Sequence, residues 1–358
     1  MRIENDIKLD FDDVLLKPKR STLTSRKDVI LEREFTFNHS PKVWTGIPII
    51  ASNMDTTGTF EIAQALRKHK LVTILHKHYT IEELAEKLPL INDPDYVGYS
   101  LGISQLDWDK FMHVIQNGLG KYFSFVCLDV PNGYLESFVE TVKKLRSTVP
   151  EHIIIAGNVV TGEIAEELLL QGADIVKVGI GSGSACLTRR KTGVGYPQLS
   201  AVIECADAAH GINTSTSYGK IISDGGIVYP CDIAKAFCAG ADFVMCGSLF
   251  AGFSESGGEL VVQNERQYKA YYGMSSSKAM QKHYGIKAQY RASEGRETLI
   301  PFKGEITPFI EDILGSLRST GTYIGARNVK EFSRRATFVQ VHNQLNQSLN
   351  QFDNGKHI

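Results

Sequence analysis

Short apolar runs, rich in β-branched residues, recur along the chain, and each ends in small or polar residues. The eight runs of this kind cover residues 47–55, 71–77, 96–102, 123–130, 152–160, 174–180, 220–226 and 242–248. Strands that are buried on both faces have this continuous apolar character, whereas half-exposed strands alternate apolar and polar positions. The pattern therefore predicts a parallel sheet with both faces covered.

Most of the intervals between these runs carry a helical pattern. Thr161 stands where a helix N-cap belongs, and Gly172 and Gly240 stand where helices end, because glycine adopts the left-handed conformation there without strain. Strands that alternate with helices indicate repeated βα units. The predicted helices cover residues 59–69, 80–88, 135–147, 161–172 and 230–240.

Eight βα units fit an α/β protein built as a (β/α)8 TIM barrel. An open doubly wound sheet would alternate in the same way and is the weaker alternative, and 358 residues would also fit two domains of average size. We expect one catalytic barrel domain over residues 1–340 and a polar, flexible tail over residues 341–358. The N-terminal extension before residue 47 and a lid insertion after strand eight, residues 249–315, are both expected to cover the barrel mouth.

Composition narrows the class of protein. The chain is 42% hydrophobic and 22% charged with a formal net charge of -1, which argues against disorder and gives no reason to expect a nucleic-acid or membrane partner. It has no apolar run of about 18 residues that could span a bilayer, and no apolar signal segment follows the first methionine. Six cysteines without a CxxC pair favour neither a disulfide scaffold nor zinc. We expect a cytoplasmic protein with reduced thiols.

The most unusual segment covers residues 177–200, KVGIGSGSACLTRRKTGVGYPQLS. Three glycines after a strand let the backbone approach a ligand closely, and Cys186 follows them beside Arg189 and Arg190. An electropositive and accessible setting favours the reactive thiolate. A Rossmann-type loop is a weaker interpretation because no apolar helix follows at once, and a small buried cysteine is the structural alternative.

Two further strand ends indicate a nucleotide. Asp224, Gly225 and Gly226 end strand seven, and Gly247 and Ser248 end strand eight. Barrels often bind phosphate in the loops after these two strands, where backbone amides face the ligand, and an aspartate there can accept from ribose hydroxyls. Turn glycines and a helix cap are the structural alternative for each position, but together they favour a nucleoside monophosphate.

Polar residues also end strands two, four and five. His76 and His78 flank Lys77, but two histidines at this spacing without a carboxylate pair are weak evidence for a metal, and Lys77 is the better candidate for the barrel mouth. Asp129 and Asn158 form a polar pair that suits a planar ligand with an amide group. A helix cap or loop cap is the structural alternative for each.

The segment 271–297 after strand eight is polar, aromatic and punctuated by glycine, which is typical of a lid. Glu294 lies between Arg291 and Arg296 and could shuttle protons, although a solvated charge run is the simpler interpretation of the segment on its own. The basic run at residues 17–27 is solvated or meets a phosphate.

These motifs, taken together and in order, resemble the IMP dehydrogenase/GMP reductase family over residues 7–338. Fewer residues separate Lys77 from Asp129 than the inserted regulatory modules of IMP dehydrogenases need, and TGVGYPQ, DVPNGY and YRASEG are similar to the reductase members. The motifs that carry the resemblance are LKPKRS (16–21), NMDTTGTF (53–60), HKHY (76–79), CLDVPNGY (127–134), AGNVVTGE (156–163), the segment 181–211, SDGG (223–226), YGMSS (272–276) and YRASEG (290–295).

The resemblance implies a reaction, GMP + NADPH giving IMP, ammonia and NADP+, within purine salvage. It implies that Cys186 forms a covalent thioimidate at carbon 2 of the purine, that Thr188 and Glu294 relay protons, and that Lys77 assists. The substrate-binding residues that it implies are Asp224, Gly225, Gly226, Gly247, Ser248, Gly273, Met274, Ser275, Arg291, Ala292, Ser293 and Gly295.

The resemblance also implies a homotetramer that uses NADPH and a monovalent cation such as K+. Some cofactor contacts would come from a neighbouring chain. The cation would lie on backbone carbonyls of Gly181, Gly183, Cys186 and Arg189. The residues implied to bind the cofactor are Ser25, Arg26, Lys77, Asp129, Val130, Pro131, Asn158, Ile180, Gly181, Ser319, Thr320, Gly321 and Thr322.

Some positions depart from the family pattern. Ser182 replaces a proline of the usual GPGSxCTTR loop, so we expect a looser loop and a less certain cation site. Ala185, Leu187, Ser248 and Pro131 also differ without removing a catalytic group. Two alternatives stay open: an IMP dehydrogenase that lacks regulatory modules, and a purine-nucleotide-binding protein without turnover.

Overall fold

The structure is a computed structural model that describes residues 3–284 and 293–342. Its strands, in chain order, are β1 (Val14–Leu16), β2 (Arg33–Thr36), β3 (Val43–Gly46), β4 (Ile49–Ala51), β5 (Val72–Leu75), β6 (Val97–Leu101), β7 (Phe125–Asp129), β8 (Ile153–Val159), β9 (Ile175–Val178), β10 (Lys220–Asp224), β11 (Phe243–Cys246), β12 (Leu260–Gln263), β13 (Arg266–Tyr272), β14 (Glu297–Pro301) and β15 (Phe338–Gln340). Its helices are α1 (Phe60–Leu66), α2 (Ile81–Ile91), α3 (Gln105–Gln116), α4 (Glu136–Thr148), α5 (Gly162–Leu170), α6 (Thr188–Thr192), α7 (Gln198–Gly211), α8 (Pro230–Cys238), α9 (Ser277–Tyr284), α10 (Thr307–Ile324) and α11 (Phe332–Arg335).

The eight parallel strands β4 to β11 form a closed barrel, in which β11 pairs with β4. Each lies inside one of the eight predicted apolar runs, so the predicted barrel is confirmed and the open sheet is not. Along β8, Ile153 and Ile155 point into the barrel while Ile154 and Ala156 point at the helices. Both sets are fully buried, which explains why the strands read as unbroken apolar runs.

The helices that the sequence predicts are present as α1, α2, α4, α5 and α8, and α3, α7 and α10 complete the outer layer. Thr161 occupies the predicted N-cap position, but its hydroxyl hydrogen-bonds the Tyr134 hydroxyl (3.0 Å) instead of the helix backbone. Gly172 and Gly240 follow their helices with φ of 119° and 109°. The left-handed geometry predicted for these glycines is therefore confirmed.

The N-terminal extension does not cover the mouth as a whole, so that prediction is wrong for its β2–β3 hairpin. Phe35 and Trp44 of the hairpin pack on Phe243 at the start of β11, with ring centroids 4.6 and 5.3 Å apart. These rings close the amino end of the barrel. The innermost side chains there are apolar, and covering them removes apolar surface from water. A preceding stretch reaches the opposite end, where Phe11 lies beside Gly226.

The segment after β11 forms a second small sheet of antiparallel strands, β12, β13 and β14, with α9 between the last two. Its strand β14 follows directly on the stretch that pairs with the Cys186 loop, so the predicted insertion at the mouth is confirmed. Its predicted end is wrong, because residues 307–315 belong to α10 of the outer layer. No helix in the described ranges is long and apolar enough to cross a membrane. The predicted flexible tail lies outside the described residues from position 343 onward.

Candidate active site

A cavity of about 420 Å³ opens at the carboxyl ends of the barrel strands. Barrel enzymes carry their active sites at this end. The cavity collects residues from loops that are far apart in sequence, including most of the predicted site. Those predicted residues are Asp129, Val130, Pro131, Asn158, Ile180, Gly181, Gly183, Cys186, Thr188, Asp224, Gly225, Gly226, Gly247, Ser248, Gly273, Met274, Ser275, Glu294 and Gly295.

Three predicted catalytic side chains form one hydrogen-bonded row at the cavity wall. The Cys186 thiol donates to Thr188 Oγ1 over 3.1 Å, and the Thr188 hydroxyl donates to Glu294 Oε2 over 2.5 Å. The row joins the loop after β9 to the lid, across a sequence separation of 106 residues. A proton that leaves the sulfur therefore has a continuous path to a carboxylate.

Backbone pairing holds this row together. Cys186 and Gly295 form an antiparallel bridge, and the Leu187 amide donates to the Glu294 carbonyl over 2.6 Å. The stretch that carries Glu294 also packs so closely on the preceding part of the lid that a Cβ at Gly295 would lie 2.4 Å from the Ser276 amide nitrogen. Glycine is required at this contact because the opposing atoms belong to the backbone.

Lys177 lies at the floor of the cavity, and the sequence analysis does not identify it. Its Nζ is 2.6 Å from Asp129 Oδ1 and 3.0 Å from Asp224 Oδ2. Burial opposes the charge of Lys177, but the two carboxylates outweigh burial and hold the pKa of Lys177 above its usual value. Burial likewise opposes ionisation of Asp129, but Lys177 prevails and holds the pKa of Asp129 below its usual value. The signal in the sequence is a lone lysine in an apolar strand, DIVKVGI.

Two amides complete the cavity floor. Asn53 Nδ2 donates to Asp129 Oδ2 and Asn158 Nδ2 donates to Asp224 Oδ2, both over 2.9 Å. Asn158 Oδ1 is buried and has no hydrogen-bond partner within the described residues. Because a buried acceptor without a partner is costly, this oxygen fits a ligand that brings an N–H donor.

The glycine-rich loops pack tightly against one another. Gly225 and Gly226 have φ of 98° and 76°, and the Gly226 amide donates to the Ser182 carbonyl over 3.0 Å. The Ser184 hydroxyl donates to the Ser248 hydroxyl over 2.6 Å, beside the Tyr271 hydroxyl, whose pKa burial raises to about 12. Ser248, which departs from the family pattern, thus adds a hydroxyl to this part of the cavity.

Ser182 is tied to its surroundings. Its hydroxyl donates to Gln198 Oε1 over 2.8 Å, and the Gln198 amide donates to the Val178 carbonyl over 2.8 Å. Without proline at position 182 the backbone gains freedom in φ, which is why the sequence predicts a looser loop. The hydrogen bond from the Ser182 hydroxyl to Gln198, which a proline cannot make, restrains the loop and offsets part of that freedom.

The charge next to Cys186 is compensated. Arg189 binds both carboxylate oxygens of Asp10, at 2.8 and 3.2 Å, and donates to the Tyr196 carbonyl. The nearest polar partner of the thiol is instead the Thr188 hydroxyl. Arg189 also interacts electrostatically with Cys186, so the electropositive setting predicted from the two arginines stays a prediction, with Asp10 as the direct partner of Arg189.

Several predicted residues do not line the cavity. Lys77 Nζ binds Asp107 Oδ2 over 2.8 Å, and the Ser293 hydroxyl donates weakly to the Ser275 carbonyl at 3.4 Å. The stretch 319–322 lies within α10, next to Val29 and the short helical turn Arg26–Asp28, which Ser25 caps. None of these residues lines the cavity of its own chain, although Lys77 is close enough to act on the charge of Asp129. Arg291 and Ala292 lie outside the described residues.

The histidines after β5 anchor the lid. Asp55 Oδ2 accepts from Tyr272 Oη (2.9 Å), Lys282 Nζ (3.2 Å) and His283 Nε2 (2.8 Å). Burial opposes ionisation of Asp55, but these contacts outweigh it and lower its pKa to about 2. The rings of His78 and His283 stack 3.5 Å apart, and burial lowers the pKa of His78 to about 3. With its pKa this low, His78 is neutral near pH 7 and packs against His283 as an aromatic ring.

Comparisons with known proteins agree with this geometry. A family model described as the IMP dehydrogenase / GMP reductase domain matches residues 8–348. The chain is 56% identical to a GMP reductase of Caenorhabditis elegans over 96% of this chain and 95% of that protein. It is 57% identical to GMP reductase 2 of Bos taurus, over 96% and 97% of the two chains. A GMP reductase of Salmonella newport is 54% identical over 98% and 99%.

Proposed function

The chain belongs to the IMP dehydrogenase/GMP reductase family, and from that premise we propose that it catalyses the NADPH-dependent conversion of GMP to IMP and ammonia, a step of purine salvage. The observation that carries the proposal is the row Cys186–Thr188–Glu294 inside the cavity. A protein that only binds a nucleotide needs no thiol connected to a carboxylate. The identity of more than half of all positions to curated GMP reductases supports the same reaction.

Cys186 is the nucleophile. Its sulfur bonds to carbon 2 of the guanine and the bond from that carbon to the amino group breaks, which leaves a thioimidate on Cys186. The amine is a poor leaving group unless it is protonated. Thr188 and Glu294 supply the path, because the thiol proton passes through the Thr188 hydroxyl to the carboxylate and is then returned to the departing nitrogen as ammonia forms.

The cofactor side of the cavity is formed by the loops after β7, β8 and β9. When bound on this side, NADPH would supply a hydride to carbon 2, with release of the Cys186 sulfur and formation of IMP. The buried Asn158 Oδ1, which lacks a partner among the described residues, fits the N–H of a carboxamide, so the residues present suit a nicotinamide. The neighbours that we assign to the same side are Asp129, Val130, Pro131, Ile180 and Gly181.

GMP occupies the opposite side. Asp224 holds the ribose hydroxyls, and the loops at Gly225, Gly247 and Ser248 hold the phosphate through their amides and the Ser248 hydroxyl. The Gly226 amide already donates to the Ser182 carbonyl, so Gly226 shapes the turn of the phosphate loop and does not donate to the phosphate. The residues that we assign to the base are Gly273, Met274, Ser275, Arg291, Ala292, Ser293 and Gly295.

Assembly and cation binding complete the proposal. Ser25, Arg26 and residues 319–322 do not line the cavity of their own chain, and we assign them to the cofactor of a neighbouring subunit in a homotetramer in the cytoplasm. The carbonyls of Gly181, Gly183, Cys186 and Arg189 suit a monovalent cation, since a carbonyl that accepts one amide keeps a second lone pair. The Gly183 carbonyl already accepts from the Cys186 amide over 2.9 Å.

The test follows NADPH absorbance after GMP is added, with ammonia assayed in parallel and Cys186→Ala as the control. NADPH loss that equals ammonia release, and is absent in the variant, supports the proposal. Formation of NADH from IMP and NAD+ without the first reaction would make the chain an IMP dehydrogenase. GMP binding without either reaction would leave a nucleotide-binding protein.

A further inference from the structure

Lys177 is a buried cation inside the barrel to which the reaction as described gives no part. In β9, Val176 and Val178 point at the helices while Ile175 points inward. Lys177 shares the inward side, and its residue is 3% exposed. An ammonium group is costly to bury unless opposite charges compensate it. A hydrophobic side chain would fill this position of the strand at no such cost, so the charge calls for an explanation at the cavity.

The strand register directs the lysine to two carboxylates on opposite sides. Asp129 of β7 is level with Gly157 of β8, and Gly157 is level with Lys177 of β9. A Cβ on Gly157 would lie 2.6 Å from Lys177 Cβ, so the absence of a side chain there lets the lysine cross β8. Asp224 lies two residues beyond Ile222, the partner of Lys177 on β10.

Both carboxylates open onto the cavity, and each is held by a second donor. Asn53 binds the oxygen of Asp129 that Lys177 does not, whereas Asn158 shares Asp224 Oδ2 with Lys177. One ammonium thus fixes the separation and the orientation of two anions. Two carboxylates this close would otherwise repel each other.

We propose that Lys177 is a positioning residue that locks Asp129 and Asp224 together, so that the ribose of GMP and the nicotinamide side of the cofactor are held in register on one cavity floor. The inference rests on the proposed function, because that function assigns Asp224 to the ribose and Asp129 to the cofactor side. It adds a device that couples the two binding sites through one ammonium on the cavity floor, which acts through the two carboxylates.

The buried thiols on the neighbouring strands and the Tyr271 hydroxyl stay neutral near pH 7. Burial raises the pKa of the Cys127 and Cys246 thiols, on β7 and β11, and raises that of Tyr271 to about 12. Lys77, beyond β5, is a cation that acts on Asp129 and is bound to Asp107. Removal of the Lys177 charge would therefore appear as a new titration of the carboxylates themselves.

The experiment measures kcat/KM for GMP from pH 6 to pH 9 in the wild type, Lys177→Met and Lys177→Arg. In Lys177→Met, burial and mutual repulsion favour protonation of one carboxylate. We expect kcat/KM at pH 6.5 to fall about 10- to 100-fold, the effect of breaking one buried charged contact, and to recover partly as the pH rises. Lys177→Arg keeps the charge, so it restores the wild-type shape of the profile.

A double variant separates positioning from packing. Lys177→Met with Asp129→Asn removes the repulsion together with the cation. We expect the pH-dependent recovery to disappear and the KM for GMP to return toward the wild type, while kcat stays low because the cofactor side has lost its carboxylate. If Lys177→Met does not fold, as judged by circular dichroism, the double variant is compared with Asp129→Asn alone, and an unchanged KM for GMP between these two supports the proposal.

Two pH profiles would overturn the inference. One is a Lys177→Met profile parallel to that of the wild type, and the other is a Lys177→Arg profile that shows the same new titration as Lys177→Met. A substantial difference in the KM for GMP between the double variant and Asp129→Asn also contradicts it. If the wild type itself does not consume NADPH with GMP, the proposed function fails instead, so the two failures are distinguishable.

Discussion

The close packing of Gly295 on residues 273–276 within the lid leads to the sharpest prediction. A Cβ at Gly295 would lie 2.4 Å from the Ser276 nitrogen and 2.8 Å from the Gly273 carbonyl oxygen. Both opposing atoms belong to the backbone, so rotation of a side chain cannot relieve the clash. The first distance falls about 1 Å short of the 3.4 Å at which ordinary contact begins. In Gly295→Ala the lid must therefore shift by about that amount, and Glu294 shifts with it.

A shift of about 1 Å at a catalytic group costs about 100-fold in rate, or about 2.7 kcal/mol of activation free energy. We expect Gly295→Ala to lower kcat with GMP and NADPH by that factor, because the Thr188–Glu294 hydrogen bond of 2.5 Å cannot survive the displacement. The assay is the initial rate of NADPH loss, with thermal unfolding measured on the same samples.

The matched control is Gly315→Ala in α10, where an added Cβ meets no heavy atom within 4 Å. We expect its activity to be unchanged and its stability to rise by about 0.5 to 1 kcal/mol, as for a helical glycine that becomes alanine. A Gly295→Ala enzyme with wild-type kcat would refute the reasoning. A loss of activity accompanied by global unfolding would show that the contact is needed for folding and not for alignment.

Three further predictions follow from the site and the lid. Glu294→Gln keeps the shape of the side chain but removes the proton acceptor, so kcat should fall about 10²- to 10⁴-fold with a smaller change in the KM for GMP; equal kcat values in steady-state assays would contradict the relay. Ser182→Ala loses the 2.8 Å bond to Gln198 and should destabilise the protein by about 1 kcal/mol in chemical denaturation, whereas an unchanged midpoint would show that the bond does not anchor the loop. Burial lowers the pKa values of His76 and His78 in the folded state to about 4 and about 3. Because the folded state then binds fewer protons at these residues than the unfolded state, stability that is present above pH 6.5 is lost as the pH falls toward 4. The unfolding temperature measured across this range should drop less in His78→Phe than in the wild type.

The sequence predicts the barrel well because each strand is buried on both faces and each helix has an apolar stripe. It does not determine which end of the barrel an extension covers: the hairpin with Phe35 and Trp44 is apolar, and only the packing on Phe243 places it at the amino end. Long-range pairing is invisible in a local pattern for the same reason. Glu294 becomes a candidate through its charged lid segment and the family resemblance, not through its distance from Cys186.

Lys177 illustrates another limit. A single lysine in an apolar strand indicates neither the face it occupies nor its partners, and the alternation of inward and outward positions emerges once the barrel register is known. The positions at Ser25, Arg26 and 319–322 raise a different difficulty, because a role in a neighbouring subunit leaves no trace in the contacts of one chain. The resemblance predicts that role, and the fold of one chain does not test it.

The closed amino end of the barrel has a consequence for the traffic of small molecules. Because Phe35, Trp44 and Phe243 fill that end, substrate and products enter and leave through the mouth in the described part of the chain. In the proposed reaction, ammonia is set free while the purine is still attached to Cys186, so it leaves past the space through which the hydride donor approaches. Ammonia therefore leaves before IMP and NADP+ form, and dissolved ammonia that enters by the same mouth opposes the first chemical step.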